Sequence, residues 1–165
     1  MVVVLIGFMG AGKTTVGRLL AARLGLPFVD SDTVIEQRSG RAIKDIFATD
    51  GEPYFRELEH QTVTELVCGP DAVISLGGGA VTDERTRTVL RGARVVYLHV
   101  GYREAMARVR RDELRPLLKR SDLDELYRQR IPVYQDVSVV AVDTDGRRPD
   151  SVVEEIVERL TALPG

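Results

Sequence analysis

Across 165 residues there are one cysteine, three lysines and almost no net charge, −2 at pH 7. A single cysteine excludes an intrachain disulfide and suits a reducing compartment. That residue, Cys68, stands between Val67 and Gly69 with no histidine or basic neighbour, so it reads as a small hydrophobe, not a nucleophile. The near-neutral balance offers no basic footprint for nucleic acid or for an anionic membrane. Long apolar runs are missing too. The run after Met1 reaches Gly7 far too early for a membrane span, and no basic stretch precedes it as in a signal peptide. These absences predict a cytoplasmic protein, with neither nucleic acid nor membrane as a partner.

What is present is ordinary for a soluble globular chain, 44% hydrophobic and 29% charged. The length suits a single domain, 1–165. Most of the basic residues are arginines, so each lysine (Lys13, Lys44, Lys119) invites a question, and Lys13 has the clearest task. Runs rich in β-branched residues at 2–6, 72–76, 94–100 and 138–143, with a shorter one at 27–30, lack polar alternation, as strands covered on both faces do. Helical patterns fill 14–24, 33–39, 52–67, 83–90, 102–111, 122–130 and 149–160. Strand alternating with helix predicts an α/β fold, a three-layer sandwich around a mostly parallel five-stranded sheet. Its ligands should lie beyond the carboxyl ends of the strands. Residues 110–124, dense in charge and broken by Pro116, read as a mobile surface segment between two helices.

The segment Gly7-Phe8-Met9-Gly10-Ala11-Gly12-Lys13-Thr14 follows the first strand and opens a helix. Glycines let backbone N–H groups turn inward around phosphate oxygens, and the helix N-terminus adds partial positive charge. Lys13 supplies a point charge to the β- and γ-phosphates, and the Thr14 hydroxyl suits Mg²⁺. No Asn-Lys-x-Asp guanine reader occurs, and the chain is short for a motor or transporter ATPase. A small-molecule kinase is the natural reading.

Asp30-Ser31-Asp32 ends the second strand, and two carboxylates at i and i+2 of an extended segment share a side. They suit a metal shell and an acceptor hydroxyl; equally, Asp32 or Ser31 could cap a helix starting near Thr33, with Glu36 in reach. Gly77-Gly78-Gly79 directly follows a strand, where bare backbone can receive a carboxylate or hydroxyl, or simply turn. Arg56, Arg115 and Arg130 can fork onto a carboxylate or lie solvated on the surface, and Glu59, three residues after Arg56, can hold it.

Together these motifs resemble the shikimate kinases: residues 7–15 (Gly-Phe-Met-Gly-Ala-Gly-Lys-Thr-Thr), 30–32 (Asp-Ser-Asp), 46–59 with Phe55-Arg56 and Glu59, 75–81 with the triple glycine, 115–118 (Arg-Pro-Leu-Leu) and 130–134 (Arg-Ile-Pro-Val-Tyr). The resemblance implies a P-loop kinase fold with a core of 1–109 and 131–165, a small lid about 110–124, and an acceptor-binding helical region about 32–67. It implies ATP-dependent phosphorylation of the 3-hydroxyl of shikimate, with ATP and shikimate as partners, Mg²⁺ as cofactor and a monomer as the working unit. By the same resemblance Asp32 binds the acceptor hydroxyls and acts as base, while Arg56, Arg130, Gly78 and Gly79 form the carboxylate pocket and Glu59 orients Arg56. Lys13 and Arg115 neutralise the transferring phosphoryl group. Gly10, Ala11, Gly12, Lys13, Thr14 and Thr15 bind ATP, with Arg108 and Pro149 sandwiching adenine; Thr14 ligates Mg²⁺ and Asp30 reaches it through water. Alternatives within the class are a gluconate-type or nucleoside monophosphate kinase, and outside it a non-catalytic ATP-binding module.

Overall fold

A computed structural model describes residues 1–109 and 120–165. Five strands form one sheet: β1 (Val2–Ile6), β2 (Phe28–Asp30), β3 (Ala72–Ser75), β4 (Arg94–His99) and β5 (Val140–Asp143). Their order is β2-β3-β1-β4-β5, and every pairing is parallel. The central position of β1 decides the site: its carboxyl end delivers residues 7–14 to the middle of the crevice, between two halves of opposite winding. β1, β3 and β4 are buried along nearly their whole length, as unalternating apolar runs require. β5, at the edge of the sheet, alternates: Val140 and Val142 are buried while Ala141 and Asp143 face outward, and α8 packs against the strand. Arg159 and Arg147 donate to the carbonyls of those two residues, so part of the open edge is occupied.

Helices α1 (Lys13–Leu24), α2 (Ser31–Ser39), α3 (Ile43–Asp50), α4 (Glu52–Val67), α5 (Glu84–Leu90), α6 (Tyr102–Arg108), α7 (Arg120–Val137) and α8 (Pro149–Thr161) flank the sheet. α1 packs on α8 and β3, α8 on β5 and α7 on β4. Strand residues such as Val4, Leu5, Ile74 and Leu98 and helix residues Leu20, Val63 and Ile156 make the main core. A second, smaller cluster of Ile35, Ile46 and Phe55 ties α2, α3 and α4 together.

Four local readings of the sequence are corrected. The first cap of α2 is neither Asp32 nor Ser31 but Asp30, whose Oδ1 accepts the Thr33 N–H at 3.1 Å. Asp32 therefore sits inside the first helical turn and not on extended backbone, and Glu36 turns away to accept the Ile43 N–H at 3.0 Å, capping α3. α3 is not among the helices expected from the sequence, although Ile43, Ile46 and Phe47 carry its apolar stripe at i, i+3 and i+4. α7 runs on through Pro132 to Val137 where a stop at 130 was expected. Pro132 and Arg128 are both exposed, so water can serve the Arg128 carbonyl that loses its donor. Of the expected lid, residues 110–119 lie outside the described residues, and 120–124 are the opening of α7 and not irregular chain.

Candidate active site

The loop after β1 is shaped for an anion. Gly10 and Gly12 hold φ of 81° and 88°, a left-handed geometry that side chains resist, and Gly12 is the uncapped N-cap of α1. No acidic residue occupies the first turn of α1, and among the described residues the N–H groups of Lys13, Thr14 and Thr15 have no backbone acceptor. Free donors and a helix dipole thus point at one spot. Lys13 Nζ donates to the carbonyls of Gly7 at 2.7 Å and Phe8 at 3.1 Å, which fixes its ammonium over the loop and leaves one of its three N–H directions for a phosphate oxygen.

Opposing charges meet across this loop. Burial lowers the Lys13 pKa to about 8, against the attraction of Asp32 and Asp30 and with a push from Arg130. Burial raises the Asp32 carboxyl to about 6, helped by the like charge of Asp30 and resisted by Lys13 and Arg56. Asp32 Oδ1 is buried and has no hydrogen-bond partner among the described residues. A buried carboxylate oxygen without a donor is costly, and a substrate hydroxyl would satisfy it. Asp30 spends one oxygen on the cap of α2, and the Thr14 hydroxyl is exposed, so both retain oxygen lone pairs suited to a hard cation. Among the described residues no three His, Cys, Asp or Glu side chains converge into a metal cage. Such a donor set fits Mg²⁺ carried largely by phosphates and water.

On the facing side lie two guanidinium groups. Arg56 donates from Nη1 to Glu59 Oε1 at 2.7 Å and from Nη2 to Glu52 Oε1 at 3.2 Å, and its guanidinium stands 5.3 Å from the centre of the Phe55 ring. Glu59 is buried, so the i+3 spacing seen in the sequence becomes a short, desolvated ion pair. Arg130 is buried as well, 6.0 Å above the Phe8 ring of the phosphate loop, with its Nε lacking a partner among the described residues.

The three glycines bring charged side chains close to bare backbone as well as making a turn. A Cβ at Gly77 would stand 3.0 Å from Asp32 Oδ1, and one at Gly78 would stand 3.3 Å from Arg130 Nη1. At Gly79 it would collide with the Arg56 guanidinium, 2.7 Å from Cζ. Each glycine thus admits a different charged side chain to the same wall. Gly79→Ala is expected to push Arg56 aside and raise the KM of the acceptor about 100-fold while KM for the nucleotide holds, as steady-state kinetics would show. The backbone at Gly79, φ −99° and ψ 1°, is one alanine accepts, so a folding defect is not the expected cause.

Lys13, Asp30, Asp32, Arg56, Arg130 and the glycines are therefore brought together. Arg108 sits apart, at the end of α6, donating to the Gly10 carbonyl at 3.2 Å and the Thr144 carbonyl at 3.1 Å, a position that bridges the phosphate loop and the β5–α8 connection. Pro149 opens α8 in that same region and is exposed. Arg115 lies outside the described residues. Glu52, Phe8 and Tyr134 join the site without being expected there from the sequence. The first could have been found from its i, i+4 spacing to Arg56 and the last from its place in Arg-x-Pro-x-Tyr, but Phe8 meets Arg130 only through the tertiary fold.

Comparisons with known proteins identify the family. The family model for shikimate kinase matches residues 9–161. A shikimate kinase of Pseudomonas aeruginosa (strain LESB58) is 49% identical over 166 residues, covering 98% of this chain and 96% of its own. One from Thermobifida fusca (strain YX) is 47% identical over 162 residues, 96% and 94% of the two chains. Among solved structures, shikimate kinase from Acinetobacter baumannii in complex with shikimate superposes with a TM-score of 0.92 at 36% identity, covering 98% of this chain and 93% of that one.

Proposed function

The chain belongs to the shikimate kinase family, and we infer from this premise that it transfers the γ-phosphoryl group of ATP to the 3-hydroxyl of shikimate, giving shikimate 3-phosphate and ADP. The reaction serves aromatic amino-acid precursor synthesis. The observation that carries the reading is one wall of the site: a buried carboxylate oxygen on Asp32 and a buried guanidinium Nε on Arg130, both without partners among the described residues, beside Lys13. A hydroxy acid supplies the missing hydroxyl and carboxylate together; a gluconate-type or nucleoside monophosphate kinase is not favoured by relatives that match at 47–49% identity over nearly the full length.

In this reading the acceptor carboxylate lies between Arg56 and Arg130 with Gly78 and Gly79 beneath it, and Glu59 holds Arg56 in place. The ring hydroxyl rests on Asp32, which takes its proton as the oxygen attacks the γ-phosphorus in line and the bond to ADP breaks. The Lys13 ammonium and the N–H groups of Lys13, Thr14 and Thr15 stabilise the charge that spreads over the transferring group. Thr14, and Asp30 through water, would hold Mg²⁺, which would supply positive charge to offset the charge of the phosphates. Arg108 and Pro149 are assigned to adenine: the hydrogen bonds of Arg108 lie in its plane and leave a face for stacking. We assign the expected lid role to Arg115 on its motif alone. A cytoplasmic monomer is the working form we propose; among the described residues no helix is long and apolar enough to cross a membrane.

The test is ADP release with and without shikimate. Consumption of ATP should depend on shikimate, and equal rates without it would overturn the assignment in favour of an idle or different kinase. Two limbs are expected in the pH profile. Because Asp32 must be ionised to accept a proton, kcat/KM for shikimate should rise with pH through about 6. Because Lys13 in the free enzyme loses its charge above about 8, kcat/KM for ATP should fall beyond that point. A profile flat from pH 5 to 9 would contradict both assignments.

A further inference from the structure

Tyr134 follows Arg130 by one helical turn on α7, so the two side chains share a face. The ring is 1% exposed and packs on Tyr97 of β4 with centroids 5.1 Å apart. A buried phenol needs partners for its hydroxyl. This one donates to the Gly78 carbonyl at 2.5 Å, and a Cβ built at Gly78 would stand 3.6 Å from the hydroxyl and 3.3 Å from Arg130 Nη1, so the two groups adjoin at that glycine. Burial pushes its pKa up to about 12, so the proton stays on oxygen near neutrality. With that single proton committed to Gly78, only the lone pairs face Arg130, which is the partner a guanidinium requires. The hydroxyl therefore stands beside both the buried arginine of the acceptor wall and the middle glycine of the turn.

We propose that Tyr134 is a positioning residue for the acceptor: its hydroxyl holds the Arg130 guanidinium and the Gly78 backbone in one fixed relation, so that a carboxylate meets both at once. The proposal rests on Arg130 and Gly78 being acceptor-binding groups. The ring and the hydroxyl then have separable tasks, since the ring fills the core and the hydroxyl sets the wall. Neither Asp32 nor Lys13 is involved, so the effect should fall on acceptor binding and not on phosphoryl transfer.

Tyr134→Phe keeps the ring and removes only the oxygen. Steady-state kinetics of the full chain, run on Tyr134→Phe, Arg130→Ala and the double variant with melting curves alongside, test the idea. A KM for shikimate raised about tenfold, with kcat and KM for ATP unchanged, is the expected result. In the Arg130→Ala background the same substitution should change that KM by less than about threefold, because Tyr134 acts through Arg130. An unchanged KM for shikimate in Tyr134→Phe beside a raised one in Arg130→Ala overturns the proposal and leaves Tyr134 a core residue. Equal losses for both substrates with a lowered Tm do the same. If Arg130→Ala also leaves the shikimate KM untouched, the carboxylate reading of Arg130 has failed, and the proposal falls with it.

Discussion

Asp32→Asn is expected to lower kcat by about 10²–10⁴-fold, the usual contribution of a positioned general base, while ATP affinity stays close to wild type. Asn occupies the same volume and still accepts a hydrogen bond, so shikimate can dock. It cannot take the proton. Calorimetric ATP binding beside turnover separates this outcome from a general defect, and a binding module with no catalytic role would lose nothing. The same substitution should make the fold more stable. Asp32 has its pKa raised from 3.8 to about 6 on folding, so the native state keeps a proton that the unfolded chain releases between those values. Stability contributed by this group is therefore present at low pH and lost as pH rises through that window. At pH 7.5 the native enzyme bears the whole of this penalty, which already includes the attraction of Lys13 and Arg56, and Asn removes it. A gain of about 1–3 kcal/mol, or roughly 2–4 °C in Tm for each kcal/mol, is expected. A variant that loses turnover and melts earlier would argue that Asp32 is structural.

Arg56→Ala should weaken shikimate far more than ATP. Truncating one side of a desolvated, hydrogen-bonded charge pair costs about 2–5 kcal/mol, so the Kd for shikimate should rise by about two orders of magnitude or more. The substitution also takes from buried Glu59 its 2.7 Å partner, which by itself destabilises the protein. Arg56→Ala with Glu59→Gln isolates the two effects. The double variant should recover most of the lost Tm, since a neutral amide tolerates the apolar setting, and recover none of the shikimate affinity. Recovery of affinity along with stability would show that Arg56 only supports the fold.

The parts of this site legible in the sequence were those whose physics is local. The phosphate loop carries its own glycines, lysine and helix start, and β1, β3 and β4 announce themselves as apolar runs because both faces are covered. Asp30 and Asp32 were legible as a pair but not in their arrangement. An extended segment and a helix start place i and i+2 differently, and only the Thr33 N–H reveals which aspartate caps. α3 is eight residues closed by Gly51, too short for its stripe to outweigh the polar Lys44, Asp45, Thr49 and Asp50 around it. Pro132 misled because a helix breaker is judged by its missing donor, and on an exposed face water repairs the loss. The glycines at 77–79 were legible as unusual, yet their reason, three charged side chains pressed against bare backbone, comes from α2, α4 and α7 and exists only once those helices are packed.

The central claim is that Asp32, the two arginines and the phosphate loop form one site for transferring phosphate to a hydroxy acid. Its most direct test is phosphorus NMR of the products formed from ATP, Mg²⁺ and shikimate by the purified chain. One phosphate ester at the 3-position of shikimate should appear for each ADP released, with no excess inorganic phosphate. ADP accompanied by free phosphate, or an ester formed as readily on gluconate or a nucleoside monophosphate, would contradict it.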